Sequence, residues 1–225
     1  MKILLTFLMM TIIKIIICGQ IVQKKNPADF LPKGFVLFEM INGDLNKDGI
    51  EDCVLIIKGT DKNKIITDKY RGQLDQNRRG IIILFKKNNN YELVIKNQDC
   101  FSSENEDGGV YFAPELSVEV KNGNLTTSYG HGRYGYWKYI FRYQNGDFEL
   151  IGYDASVNRG PVTQYQISIN FLTKKKLTRD NLNKDEEGDE KYEDNFKDKW
   201  EKINIQSPVK LSRIKDFDEL DMTRY

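Results

Sequence analysis

The side chains best suited to chemistry lie in one stretch, Gly43-Asp44-Leu45-Asn46-Lys47-Asp48-Gly49-Ile50-Glu51-Asp52, between the apolar runs Phe35 to Ile41 and Cys53 to Ile57. Asp44, Asn46 and Asp48 alternate, so their side-chain oxygens can converge on one point. Gly49 permits the sharp turn after them, Ile50 can offer its carbonyl, and Asp52 closes the shell. An oxygen-only cage suits a hard cation, and the expected ion is calcium. A plain polar turn also uses Asp, Asn and Gly. It does not require oxygens at alternate positions, a glycine after the third and an aspartate three residues further on. An EF-hand would need Glu at the twelfth position and a helix on each side, whereas Leu55 stands there inside an apolar run. Without a bidentate Glu, the expected dissociation constant is on the order of 10⁻⁴ M, and the ion's role is structural.

A second candidate is the aromatic stretch Tyr129-Gly130-His131-Gly132-Arg133-Tyr134-Gly135-Tyr136-Trp137-Lys138-Tyr139. Tyr and Trp offer large amphipathic contact area, so Arg133, Tyr134 and Trp137 are the expected contacts to a protein or glycan partner. Period two also places Trp137, Tyr139, Phe141 and Tyr143 on one strand face, and burial in the core is the competing reading for those four. His131 is the sole histidine, which excludes zinc sites built from several imidazoles and leaves one general base. Hydrolase chemistry is the alternative function, through a Cys100 and His131 pair or through the carboxylates of Glu106 and Asp107 in the turn Glu104 to Gly109. A solvated acidic turn is the simpler account of those acids. Cys53 and Cys100 are a candidate disulfide in an oxidising compartment, or else two buried free thiols.

These residues must be positioned by strands. Val54 to Ile57 is continuously apolar, as in a strand covered on both faces. Ile81 to Phe85 and Tyr91 to Ile95 read as a hairpin round Asn88-Asn89-Asn90. Two more are signalled by Leu116 to Val120 before Asn122-Gly123, and by Tyr136 to Tyr143 before Asn145-Gly146 and Phe148 to Tyr153. Gln164 to Leu172 alternates as the last expected strand. Lys58 to Arg79 reads as a surface excursion with one helical turn, and Gln20 to Asn26 as a loose leader. Residues 174–199 are densely charged and read as a mobile loop. Apolar residues from Trp200 to Leu220 then predict a C-terminal segment that packs back. The expected fold class is mainly β, an antiparallel sheet or sandwich of successive hairpins, with residues 20–225 as one domain.

Lys2 followed by the apolar run Ile3 to Ile17 has the form of a secretory signal over residues 1–19. Cleavage after Gly19 gives a secreted or periplasmic chain, while lipidation of Cys18 would tie it to a membrane. Lys plus Arg is 34 against 33 for Asp plus Glu, and losing Lys2 and Lys14 tips the balance slightly acidic. Such a charge does not draw nucleic acid.

The stretch Gly43 to Asp52 resembles the calcium loops of FG-GAP and VCBS repeats, which also sit between β-strands. One loop of this kind implies the ion and not a propeller of stacked repeats. The order of that loop, Arg79-Gly80, Asp107-Gly108-Gly109 and Tyr139-Ile140-Phe141-Arg142-Tyr143-Gln144-Asn145 is similar to secreted bacterial proteins of no assigned activity. The expectation for function is a calcium-binding, non-catalytic interaction module outside the cytoplasm. A secreted inhibitor or immunity factor would share these features.

Overall fold

The computed structural model describes residues 22–105, 115–186, 188 and 192–225. Fourteen strands are present among them. The first seven are β1 (Gln23–Lys24), β2 (Phe35–Gly43), β3 (Asp52–Gly59), β4 (Ile65–Asp68), β5 (Gly72–Asp75), β6 (Arg79–Lys87) and β7 (Asn90–Phe101). The rest are β8 (Glu115–Lys121), β9 (Asn124–Gly130), β10 (Gly135–Gln144), β11 (Asp147–Arg159), β12 (Val162–Asn170), β13 (Lys175–Asn181) and β14 (Phe196–Lys202).

All pairings between these strands are antiparallel. One sheet has the order β1-β7-β6-β3-β2. The other is a meander of seven strands, β8 to β14 in sequence order, and β4 pairs with β5 apart from both. The Asn122-Gly123 and Asn145-Gly146 turns join β8 to β9 and β10 to β11, where the sequence places them.

The two sheets share one apolar core. Val54, Ile56, Ile81, Ile83 and Phe85 from the first meet Leu125, Tyr129, Tyr139, Phe141 and Phe148 from the second. The alternate residues of β3 and β6, namely Cys53, Leu55, Ile57, Ile82 and Leu84, point to the other face and pack with Phe30, Leu31 and Phe35. Both sides of β3 are therefore covered, which is why its sequence lacks alternation.

The C-terminal segment closes the core. Phe217 stacks on Phe101 at 5.0 Å and meets Tyr139 edge-on at 5.1 Å. Its backbone N–H donates to the Cys100 carbonyl at 3.0 Å, and Leu150 donates to the Val209 carbonyl at 2.9 Å. The Asn97 amide holds the carbonyls of Leu211 and Ile214 at 3.0 and 2.7 Å.

Three expectations are corrected. Residues 174–199 are not a single loop, because β13 and most of β14 fall inside them. β14 is the edge strand and β13 lies next to it, and their charges pair across the ladder: Arg179 faces Asp198 and its guanidinium lies 4.5 Å over the Phe196 ring. Edge strands carry charge to discourage pairing with other chains, and that charge hides the strand signal. The leader contains the short strand β1, which pairs with β7. The third correction is the disulfide: Cys53 and Cys100 are free and buried, and they sit on opposite faces of one sheet with β6 between their strands.

Among the described residues, no helix is long and apolar enough to cross a membrane. The expected signal segment, with Cys18, and the acids Glu106 and Asp107 lie outside the described residues.

Candidate functional site

Two regions hold the residues singled out above. The first is the loop between β2 and β3, whose ends are fixed by the Gly43 and Asp52 pairing. Leu45 is 2% exposed and anchors the loop in the core. The Asp44 carboxylate then gathers backbone N–H groups from Lys47 at 2.6 Å, Asp48 at 3.2 Å and Gly49 at 2.9 Å. Asn46 Oδ1 accepts from the Asp48 N–H at 2.9 Å, and Asp48 Oδ1 from the Ile50 N–H at 2.9 Å. The Asn46 amide reaches Asp48 Oδ2 at 3.0 Å, so these three side chains are neighbours. Gly49 has φ +84°, a conformation that an L side chain would strain.

Asp52 behaves differently. It is fully buried, and its oxygens accept from the Leu45 N–H at 2.9 Å and the Lys86 N–H at 3.0 Å. The carboxylate thereby staples the loop to β6. Burial raises its pKa, and the N–H groups of Leu45 and Lys86 oppose that rise without cancelling it. Among the described residues, no three His, Cys, Asp or Glu side chains cluster round a point where a metal ion could sit. Asp44, Asn46 and Asp48 stand at the rim while Asp52 is turned inward. The donor types in the loop are all oxygen, the kind a hard cation takes, and Asp44, Asn46, Asp48 and the Ile50 carbonyl are the residues that would hold one.

The second region is a cleft of about 470 Å³ beside the other aromatic stretch. Its rim is a 3-10 turn, Gly132–Tyr134, closed by the Tyr134 N–H to the His131 carbonyl and the His131 N–H to the Gly135 carbonyl, both 2.9 Å. Gly135 makes this possible: a Cβ there would lie 1.8 Å from the Ser156 carbonyl oxygen, and φ is +109°. The backbone can thus fold directly onto β11.

His131, Tyr134, Tyr136, Trp137 and Tyr139 line one side of the cleft. Tyr153, Ala155, Ser156 and Val157 of β11 continue the wall, and Ser102, Phe217, Asp218 and Leu220 complete it. A bulge opposite Ile140 and Phe141 shifts the register of β11. Phe148 and Leu150 face the core before it, and Tyr153 and Ala155 take the same side after it. Tyr139 and Phe141 are buried, and Trp137 and Tyr143 are partly so, which matches the core reading of that face.

The structure brings Tyr134 and Trp137 together in the cleft, whereas Arg133 is exposed and does not line it. Ser102, His131 and Asp218 share the wall, yet no hydrogen bond joins the His131 ring to either of the others among the described residues. The proposed Cys100 and His131 pair is not assembled either. Cys100 is fully buried in the core with its thiol pKa pushed well up by burial, while His131 stands partly exposed at the rim. A thiol held protonated is a poor nucleophile. Of the acidic turn, the described Glu104 is ion-paired with Lys58 at 3.0 Å.

Sequence reasoning did not find Ser102, Tyr153, Ser156 or Asp218. The one usable signal was the apolar tail containing Phe217, which implies that its neighbour Asp218 is carried to the body of the fold. Comparison with protein-family models, curated proteins and solved structures returned no match.

Proposed function

We propose that the chain is a calcium-stabilised β-domain that acts outside the cytoplasm as a non-catalytic binding module, with the aromatic cleft as its contact surface. The observation that carries this reading is the cleft itself. Four tyrosine rings, Trp137 and His131 line a recess of about 470 Å³, within the usual range of roughly 300–1,000 Å³ for small-molecule sites. Aromatic rings give contact area at low cost in side-chain entropy. The cleft would take a small molecule, or a projecting group of a protein or glycan.

The loop has a supporting part in this account. Calcium bound by Asp44, Asn46, Asp48 and the Ile50 carbonyl would replace the backbone N–H groups as the partner of those oxygens and hold β2 to β3. At a free concentration 100 times the dissociation constant, it would stabilise the fold by about 2.7 kcal/mol.

Tryptophan fluorescence tests the reading. Trp200 is 64% exposed on edge strand β14, so a Trp200→Phe variant leaves Trp137 as the sole reporter. A screen of envelope glycans, peptides and small metabolites should change its emission in at least one case, and a Tyr134→Ala change should weaken that response. A screen with no response from Trp137 would overturn the proposal.

A further inference from the structure

The strands that end the two large sheets are guarded unequally. The seven-stranded sheet ends on β8 and β14. β14 carries Lys197, Asp198, Lys199, Glu201 and Lys202, and β8 carries Glu115, Glu119 and Lys121. Charge on an edge strand keeps other chains from pairing with it. β2 ends the five-stranded sheet, and its 9 residues hold one charge, Glu39. Val36, Leu37, Phe38 and Met40 are 48, 40, 41 and 43% exposed. Consecutive strand residues point to opposite faces, so β2 is apolar on both. That composition belongs to covered strands such as β3, and at an open edge it invites pairing.

The backbone of β2 is open as well. The Gly34 carbonyl accepts from the Thr60 N–H at 2.9 Å, so Gly34 faces β3. Backbone groups alternate along an antiparallel ladder, which turns Phe35 and Leu37 outward. Gly59, opposite Phe35, agrees: its N–H donates away from β2, to the Arg78 carbonyl at 3.1 Å. The Phe35 N–H is taken up by the Pro32 carbonyl at 3.2 Å. The Phe35 carbonyl and both backbone groups of Leu37 remain for the open edge. Past Leu37 a bulge at Phe38 breaks the register, and the Arg79 guanidinium lies 5.4 Å over the Phe38 ring. The regular part of the free edge is thus residues 35–37.

Charge selects what fits there. Lys33 and Glu39 flank this edge at equal distance from Val36. Both are exposed, and neither has an ion-pair partner among the described residues. The matching strand is antiparallel, offers an N–H to the Phe35 carbonyl, and sets an acid opposite Lys33 and a base opposite Glu39. β2 is itself such a strand.

We infer that β2 pairs with β2 of a second copy of this chain, antiparallel about a twofold axis at Val36. Each Leu37 N–H then donates to the partner's Phe35 carbonyl, each Lys33 meets the partner's Glu39, and the two five-stranded sheets become one continuous sheet. The contact is small, so the pairing is concentration-dependent.

Sedimentation equilibrium of the purified chain tests this. The mass should rise from one chain toward two as concentration goes from micromolar toward millimolar. Leu37→Lys, at a side chain already open to water, should leave the melting midpoint unchanged and weaken dimerisation about tenfold or more. Lys33→Glu and Glu39→Lys should each weaken it severalfold. The double variant should restore it, because the exchange returns each ion pair with its signs reversed.

A chain that stays monomeric throughout overturns the inference and leaves the edge to an extended strand of another protein. A dimer indifferent to Leu37→Lys also overturns it, and association through the apolar run Ile3 to Ile17 would show that indifference. So does a double variant that dimerises no more tightly than either single one.

Discussion

The loop between β2 and β3 and the cleft beside β10 are built on opposite plans. In the loop, Asp44, Asn46 and Asp48 are neighbours in the chain, and local turns alone bring their side chains together. In the cleft, Ser102, Trp137, Tyr153 and Asp218 are far apart in sequence and meet because two sheets and a C-terminal segment pack together. The loop is therefore shaped by a short stretch of backbone, to which the proposed ion would add its hold, whereas the cleft depends on the whole tertiary structure. Damage to long-range packing should reach the cleft first, and loss of cation should reach the loop first.

The largest effect expected from this contrast is at Phe217, which is 1% exposed and joins Phe101 to Tyr139. Phe217→Ala should cost about 3–5 kcal/mol in urea unfolding and abolish binding in the cleft. Calcium affinity of the fraction that remains folded should be unchanged. A variant that loses both together would dissolve the distinction between the two regions.

Asp52→Ala should come next, at about 2 kcal/mol, because it leaves the buried N–H groups of Leu45 and Lys86 without their acceptor. Hydrogen exchange should then quicken at Leu45 and Lys86 and stay unaltered at Tyr139. Quickening spread evenly over both sheets would contradict a local staple.

The smallest effect belongs to Lys58, at the end of β3 away from the loop, which bridges Asp75 at 2.9 Å and Glu104 at 3.0 Å. Both carboxylates are more than a third exposed or close to it, so Lys58→Met should cost only about 1 kcal/mol at neutral pH. Burial works against the charged form of Asp75, but Lys58 and the Asn77 N–H outweigh it and lower the pKa. An acid with a lowered folded pKa stabilises above its unfolded value and loses that contribution as pH falls through the folded one. The stability difference between wild type and Lys58→Met should therefore disappear in acid. A difference that persists below the range where carboxylates titrate would mean that packing of the lysine stem, and not charge, was lost. Neither calcium binding nor the cleft should respond.

The same contrast explains what could be read from the chain. Strands bounded by Asn122-Gly123 and Asn145-Gly146 were legible because a two-residue turn and an alternating flank are local signals. The loop's composition was legible for the same reason, although the inward turn of Asp52 was not, since it depends on the position of Lys86 on another strand. β13 and β14 were hidden because their outward charges, Arg179 and Asp198 among them, look like solvated loop until the cross-strand pairing is seen. Asp218 had no signal of its own. It enters the cleft only because Phe217 is drawn into the core.

The central claim is that the oxygens of Asp44, Asn46 and Asp48 form one cation site on which the β2 to β3 connection depends. Titration calorimetry of calcium into chelator-treated protein tests it most directly. The account predicts heat of binding at a single site with a dissociation constant on the order of 10⁻⁴ M, lost in Asp48→Ala and accompanied by a higher melting midpoint in the wild type. No heat, with identical melting in calcium and in chelator, would contradict it.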